Sequence, residues 1–323
     1  YFINDIESLL NNEVFFFPAS YRRAYQLEEA DNANILLRSE VLNKLNNKRN
    51  PIIITYSKAL SEKVVSRKIL KKQTISLKLN DKYEIANLEQ MLVSLHFDLV
   101  DFVIEPGQYS IRGGILDVFS FADEHPFRIE FFDTEIESIR TFDINTQLSI
   151  CKEKKITIVP NTEAKKNTNS QVSLLEYLPK NSVIWARDIH YTKGVLSDYF
   201  KRAQEGYQKV SESGTKHLSP EHLFTNGNDF CNELINYHII EDNNKTYFTP
   251  SDCIISRTLP ITKINKQFDI LKEDLIKNKK QGLKNIILCS SDEQEERFNA
   301  IFKHSKEKLE YSCLLFSLHE GFI

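Results

Sequence analysis

Residues 107–143 read GQYSIRGGILDVFSFADEHPFRIEFFDTEIESIRTFD, and the reading of this ribbon decides the fold around it. It is dense in β-branched and aromatic residues, the types that suit a pleated, half-buried surface. Within it FRIEFF (127–132) alternates strictly. Successive side chains of a strand point to opposite faces, so Phe127, Ile129 and Phe131 share one side and Arg128, Glu130 and Phe132 the other. The first trio makes a core face. The second sets an aromatic ring among charges on the side that meets water. Asp133-Thr134 reads as a two-residue turn, although glycine would suit its positive-φ position better. Upstream, YSIRGGILDVF (109–119) reads as one further strand, in which Gly113-Gly114 permits a bulge or a close approach by another chain. Arg112 comes near Arg128 if these strands pair. Arginine and exposed aromatic residues dominate protein-binding hot spots. The competing reading is an ordinary solvated sheet face with Phe132 tucked under a neighbour.

Outward from the ribbon, QTISLKL (73–79) alternates and a helix is expected near 85–97, so residues 74–158 form a mixed α+β module with a largely antiparallel sheet. Both flanks alternate strand and helix. EVFFF (13–17) and PIIITY (51–56) are short apolar strands, and between them residues 28–46 carry Ile35, Leu36, Val41, Leu42 and Leu45 at helical spacing. Ser57 is placed to cap the short helix that follows. SVIWARD (182–188) is a strand, and two or three helices lie between 190 and 238. After Pro250 and Pro260 come a helix stopped by Gly282, a strand at 285–289, a helix opened by Ser291 or Asp292, and a strand in YSCLLFSL (311–318). Strand–helix–strand of this length predicts parallel sheets with crossover helices. The fold class is therefore α/β: a parallel-sheet domain interrupted by the module, with a smaller α/β unit at the end.

The 323 residues exceed what one core usually serves, and the 41% apolar and 27% charged composition is that of a soluble globular protein. No run approaches a membrane span and the N-terminus is not a secretory signal, so a cytoplasmic location with no membrane contact is expected. The chain starts without Met and stops on LHEGFI, and is expected to be a piece of a longer protein. Five cysteines without a C-x-x-C point to a reducing setting and to small buried hydrophobes. A net charge of −3 gives no bulk pull toward nucleic acid, leaving only local patches such as NKKQGLK (278–284).

Catalytic constellations are missing from the sequence. Neither G-x-x-x-x-G-K-[ST] nor G-x-G-x-x-G occurs, so no glycine-rich loop cradles a phosphate. His217 and His222 straddle a proline and read as two surface-loop histidines rather than metal ligands. SDC (251–253) lacks the nucleophile elbow, and Glu295/Glu296 sit on a charged helix face. No catalytic, metal or cofactor residue is nominated.

The run YSIRGGILDVFSF…PFRIEFFDTEIESIRTFDINTQLS resembles a signature shared by the excision-repair protein UvrB and the bacterial transcription-repair coupling factor family. FFFPASYRRAY, IEPGQYSIRG and the stretch from NKQFDILKEDLIKNKK through LHEGFI look like the N-terminal, UvrB-like region of the coupling factors, so the likeness spans nearly the whole chain. It implies a degenerate helicase-like domain (1–73 and 159–258), an inserted UvrA-binding module (74–158) and a small α/β domain (261–323). It implies no enzyme activity in these residues: ATP and magnesium would serve motor domains elsewhere in the parent, which would also hold RNA polymerase and DNA. The family's UvrA-binding residues fall by motif on Arg112, Arg128 and Phe132, with Glu130, Glu135 and Arg140 as rim residues. The resemblance further implies that another domain of the parent masks this surface. UvrB itself, an ATP-dependent repair helicase, and a DNA-binding module remain as alternatives.

Overall fold

The computed structural model describes residues 2–10, 12–20, 32–47, 50–162, 171–212, 217–243, 245–255, 258–261, 267–303 and 309–322. The expected helical start at 28–31 and the YRRAY part of the resemblance lie outside them. The chain forms two compact units, Tyr1–Val14 with Ser251–Ile323, and Phe15–Pro250. The expected domain over 1–73 groups the first residues with the strand at 13–17. Instead helix α1 (Phe2–Leu10) groups with the C-terminal residues, where Asp5 accepts the His319 backbone N–H at 2.8 Å.

Strand β1 (Val14–Phe17) pairs with β2 (Ile52–Thr55), and α2 (Asn32–Asn46) lies between them in sequence. Phe15 and Phe17 pack with Val41, Leu42 and Leu45, the apolar stripe of α2. Arg38 is fully buried on the same helix; its Nη1 donates to Pro18 O at 2.7 Å and faces Glu62 at 3.4 Å, while its guanidinium covers the Phe17 ring. Then come α3 (Ser57–Leu60), β3 (Val64–Val65) and α4 (Arg67–Gln73). Ser57 is not a cap: it is already helical behind Tyr56, and its hydroxyl meets the Thr192 hydroxyl at 3.2 Å.

The module runs β4 (Ile75–Lys78), α5 (Ile85–Ser94), β5 (Asp98–Leu99), β6 (Gln108–Arg112), β7 (Ile115–Val118), β8 (Phe127–Phe132), β9 (Glu135–Phe142), β10 (Ser149–Lys152) and β11 (Lys155–Ile158). Six strands make one sheet in the order β10-β9-β8-β7-β6-β5, antiparallel throughout except for the β5–β6 pair. Strands β4 and β11 pair antiparallel, Ile75 opposite Ile158, so the module's two ends meet. Leu88 and Leu92, one turn apart on α5, pack in one core with Leu116, Ile129 and Phe131 from the sheet. The strict alternation of β8 holds, with Phe127, Ile129 and Phe131 buried.

One reading of the ribbon is corrected. Residues 109–119 are a hairpin, not a strand with a bulge: Arg112 lies opposite Ile115, and Gly113-Gly114 is the turn, with Gly113 at φ +60°. The close approach is made by the chain's own β8, since a Cβ on Gly114 would lie 2.9 Å from Phe131 O. Asp133, at φ +56°, and Thr134 form the expected turn between β8 and β9.

Beyond the module, β12 (Gln171–Val172) pairs antiparallel with β3, followed by α6 (Leu174–Tyr177), β13 (Val183–Ala186), α7 (Ile189–Glu212), α8 (Pro220–Leu223), α9 (Gly227–Leu234) and β14 (His238–Glu241), which runs parallel to β13. His222 thus sits in a helical turn rather than a loop, exposed like His217. The continuous parallel sheet expected here is not formed among the described residues. Short two-stranded pairs stand in its place: β1–β2 and β3–β12 share one cluster, β13–β14 packs in another, and Leu60 and Leu178 lie against both.

In the smaller unit, α10 (Phe268–Lys280) ends at Gly282, whose φ of +76° accompanies an N–H bond to Lys279 O at 2.9 Å. Strand β15 (Ile286–Cys289), helix α11 (Asp292–Phe302) and parallel strand β16 (Ser312–Leu315) follow, with the Ser291 hydroxyl capping α11. Cys231 and Cys289 are buried as expected, whereas Cys151 and Cys253 are exposed. No helix among the described residues is long and apolar enough to cross a membrane.

Candidate partner-binding site

The sheet of the module has two faces. One covers the core with α5; the other carries the nominated residues. Cross-strand register sets them in rows: Ser110, Asp117, Arg128 and Arg140 form one, and Arg112, Ile115, Glu130 and Ser138 the next. Strands β6 and β8 are not neighbours, because β7 lies between them. Arg112 and Arg128 are nonetheless brought together, by a residue that sequence reasoning had passed over.

That residue is Asp117, 1% exposed on β7. Arg128 grips it with both arms of its fork, Nε to Oδ1 at 2.7 Å and Nη2 to Oδ2 at 2.8 Å. Arg112 Nη2 donates to the same Oδ2. The bond to Asp117 raises the Arg128 pKa above its ordinary value, more than partial burial lowers it. Arg128 also reaches Gln147, through Nη1 to the backbone O at 3.3 Å and Nη2 to Oε1 at 3.4 Å, and lies over the buried Phe142 ring at 4.5 Å. Its side chain is 16% exposed against 44% for Arg112. Arg112 in turn sits 5.4 Å from the ring of Phe102, on the loop after β5.

Phe132 is 77% exposed at the end of β8, so no neighbour covers it and the tucked-under alternative fails. The rim residues are paired: Arg140 bonds Glu130, which also accepts the Ser138 hydroxyl at 2.6 Å, and Glu135 faces Lys82 at 4.0 Å. Arg128 and Arg140 stand directly opposite on adjacent strands, a repulsive arrangement that Asp117 and Glu130 relieve on either side. Asp117 could be placed from ILDV only once the hairpin register is known, since that register puts it on the arginine side. Phe102 left none, because its loop has no periodicity. Among the described residues no cluster of three His, Cys, Asp or Glu could hold a metal ion.

Residues 75–163, which include this face, match the family of the UvrB interaction domain. Similarity to whole proteins is equally consistent: each of the most similar relatives bears one name. The chain is similar to the transcription-repair-coupling factors. It is 32% identical to that of Bacillus subtilis over 161 residues, which make up 50% of this chain and 14% of the relative. The transcription-repair-coupling factor of Haemophilus influenzae is 29% identical over 155 residues, 48% of this chain and 14% of the relative. That of Rickettsia conorii is 29% identical over 231 residues, 70% of this chain and 19% of the relative. The chain thus spans less than a fifth of these transcription-repair-coupling factors.

Proposed function

We propose that this chain is the UvrB-like N-terminal region of a transcription-repair coupling factor, and that its module recruits UvrA for transcription-coupled excision repair. The observation that carries the reading is the outer sheet face within the UvrB interaction domain, where Phe132 and Arg112 stand exposed beside an internally neutralised carboxylate. An exposed ring offers apolar area and a guanidinium offers a planar fork to a partner's acid. On this reading residues 1–73 with 159–258 are a degenerate helicase-like domain and 261–323 a small α/β domain. ATP, magnesium, RNA polymerase and DNA belong to other domains of the parent, and the protein works in the cytoplasm.

Calorimetry of the chain with UvrA from the same organism tests this. Saturable binding is expected, and Phe132→Ala should cost ~2 kcal/mol, roughly 30-fold in affinity, as for an interfacial aromatic anchor. The folded state should not change, since the ring touches water. Absence of binding by the unaltered chain, or full binding by the variant, overturns the reading. Binding to DNA that collapses as salt is added would favour a nucleic-acid module instead.

A further inference from the structure

The nominated arginines are not equivalent, and their hydrogen bonds separate them. Arg128 has five N–H donors, and the four bonds to Asp117 and Gln147 use all but one. Its flat face is closed by Phe142. Little of this guanidinium is left for a partner. What it does is internal: a carboxylate buried in the sheet is costly unless a cation and hydrogen bonds hold it, and Arg128 supplies both to Asp117. Arg112 spends only Nη2 there, remains nearly half exposed, and its guanidinium lies over the Phe102 ring at 5.4 Å.

Phe102 is 60% exposed, yet its loop is fixed. The next residue, Val103, is buried with Phe119 and Phe142. Gln108 Oε1 accepts from the backbone N–H groups of Ile104 and Glu105, both at 3.0 Å, the Ser110 hydroxyl donates to Asp101 O at 3.1 Å, and Val100 N donates to Tyr109 O at 2.9 Å. A ring on a pre-set backbone loses little freedom on binding. Among the paired groups at its centre, Arg112, Arg128 and Arg140 outnumber Asp117 and Glu130 by one positive charge, which suits an acid.

We propose that Asp117 organises this surface, that Arg128 is a positioning residue acting through it, and that the partner's contact falls on Arg112 and Phe102 as well as Phe132. The contact selects a carboxylate set between apolar side chains. The proposal rests on the recruitment of UvrA and names the parts of the surface that meet it.

Three variants test it against UvrA by calorimetry, at a temperature where melting curves show each folded. Phe102→Ala should weaken binding about tenfold without lowering the melting temperature, as for an exposed interfacial ring. Arg128→Met should weaken binding at least about tenfold, and adding Asp117→Asn should restore most of it, because a neutral amide no longer needs the guanidinium. A contact that Arg128 itself made with the partner would not be recovered by a second change at Asp117. If the double variant binds as poorly as Arg128→Met, Arg128 touches the partner directly and the positioning role is overturned; unaltered binding by Phe102→Ala overturns the added contact. Failure of the unaltered chain to bind sinks the recruitment reading and the contact assignment together. The melting temperatures then still decide the clamp, since no recovery of the Arg128→Met deficit by Asp117→Asn would refute it.

Discussion

Asp133 holds a left-handed backbone at φ +56°, which costs a residue with a Cβ about 1–2 kcal/mol, less for aspartate. Glycine there relieves the strain but frees the unfolded chain, so Asp133→Gly should stabilise by only ~0.5 kcal/mol, read by urea denaturation. Asp123 makes the sharper case. Burial pushes its carboxyl up to about 6 from 3.8, with Glu153 adding to the shift and Ser120 and Lys44 opposing it, and among the described residues its Oδ2 has no hydrogen-bond partner. Below about pH 4 folded and unfolded chains both keep the proton, and no penalty exists. Between there and pH 6 the unfolded chain gives the proton up while the folded chain retains it, so stability falls as pH rises and stays lower above. The fall amounts to roughly 2–3 kcal/mol. Asp123→Asn should abolish this slope and raise the melting temperature at pH 7.5 but not at pH 4. An unchanged pH profile would refute the assignment.

At the scale of elements, the sheet depends on α5 for its covering. Leu92 is fully buried there while its neighbour Val93 is exposed, as an amphipathic helix requires. Leu92→Ala should cost 2–5 kcal/mol, about what a cavity in a packed core costs, and Val93→Ala under ~0.5 kcal/mol; equal effects by chemical denaturation would contradict the packing. The alternating strand β8 and this helix were legible in the sequence because their periods, 2 and 3.6, show on a single element. The β6–β7 hairpin was not. Gly-Gly suits a two-residue turn and a bulge alike, and only the antiparallel pairing that sets Arg112 opposite Ile115 separates the two.

Across the whole molecule, the module lies within the Phe15–Pro250 unit and there closes on itself. All of its large core cluster except Ile35 comes from residues 75–158, and its first and last strands pair. A chain of residues 74–160 should therefore melt cooperatively and keep the UvrA affinity of the parent chain, since Phe102, Arg112, Asp117, Arg128 and Phe132 all travel with it. A broad, non-cooperative melt would show that Ile35 and the contacts of Ala122 and Val159 with the neighbouring core are indispensable.

The sequence by itself determined the mixed α/β character, the largely antiparallel module and which face of β8 points outward. Each of these is written in short-range spacing or in a contiguous motif. Only the tertiary structure decided that α1 joins the C-terminal residues, that the flanking strands form separate short pairs, and that Asp117 holds Arg112 and Arg128 from a strand between theirs. Those outcomes depend on which strands become neighbours and in what register. Pairing energies between distant segments set them, and a one-residue slip would move every side chain to the other face.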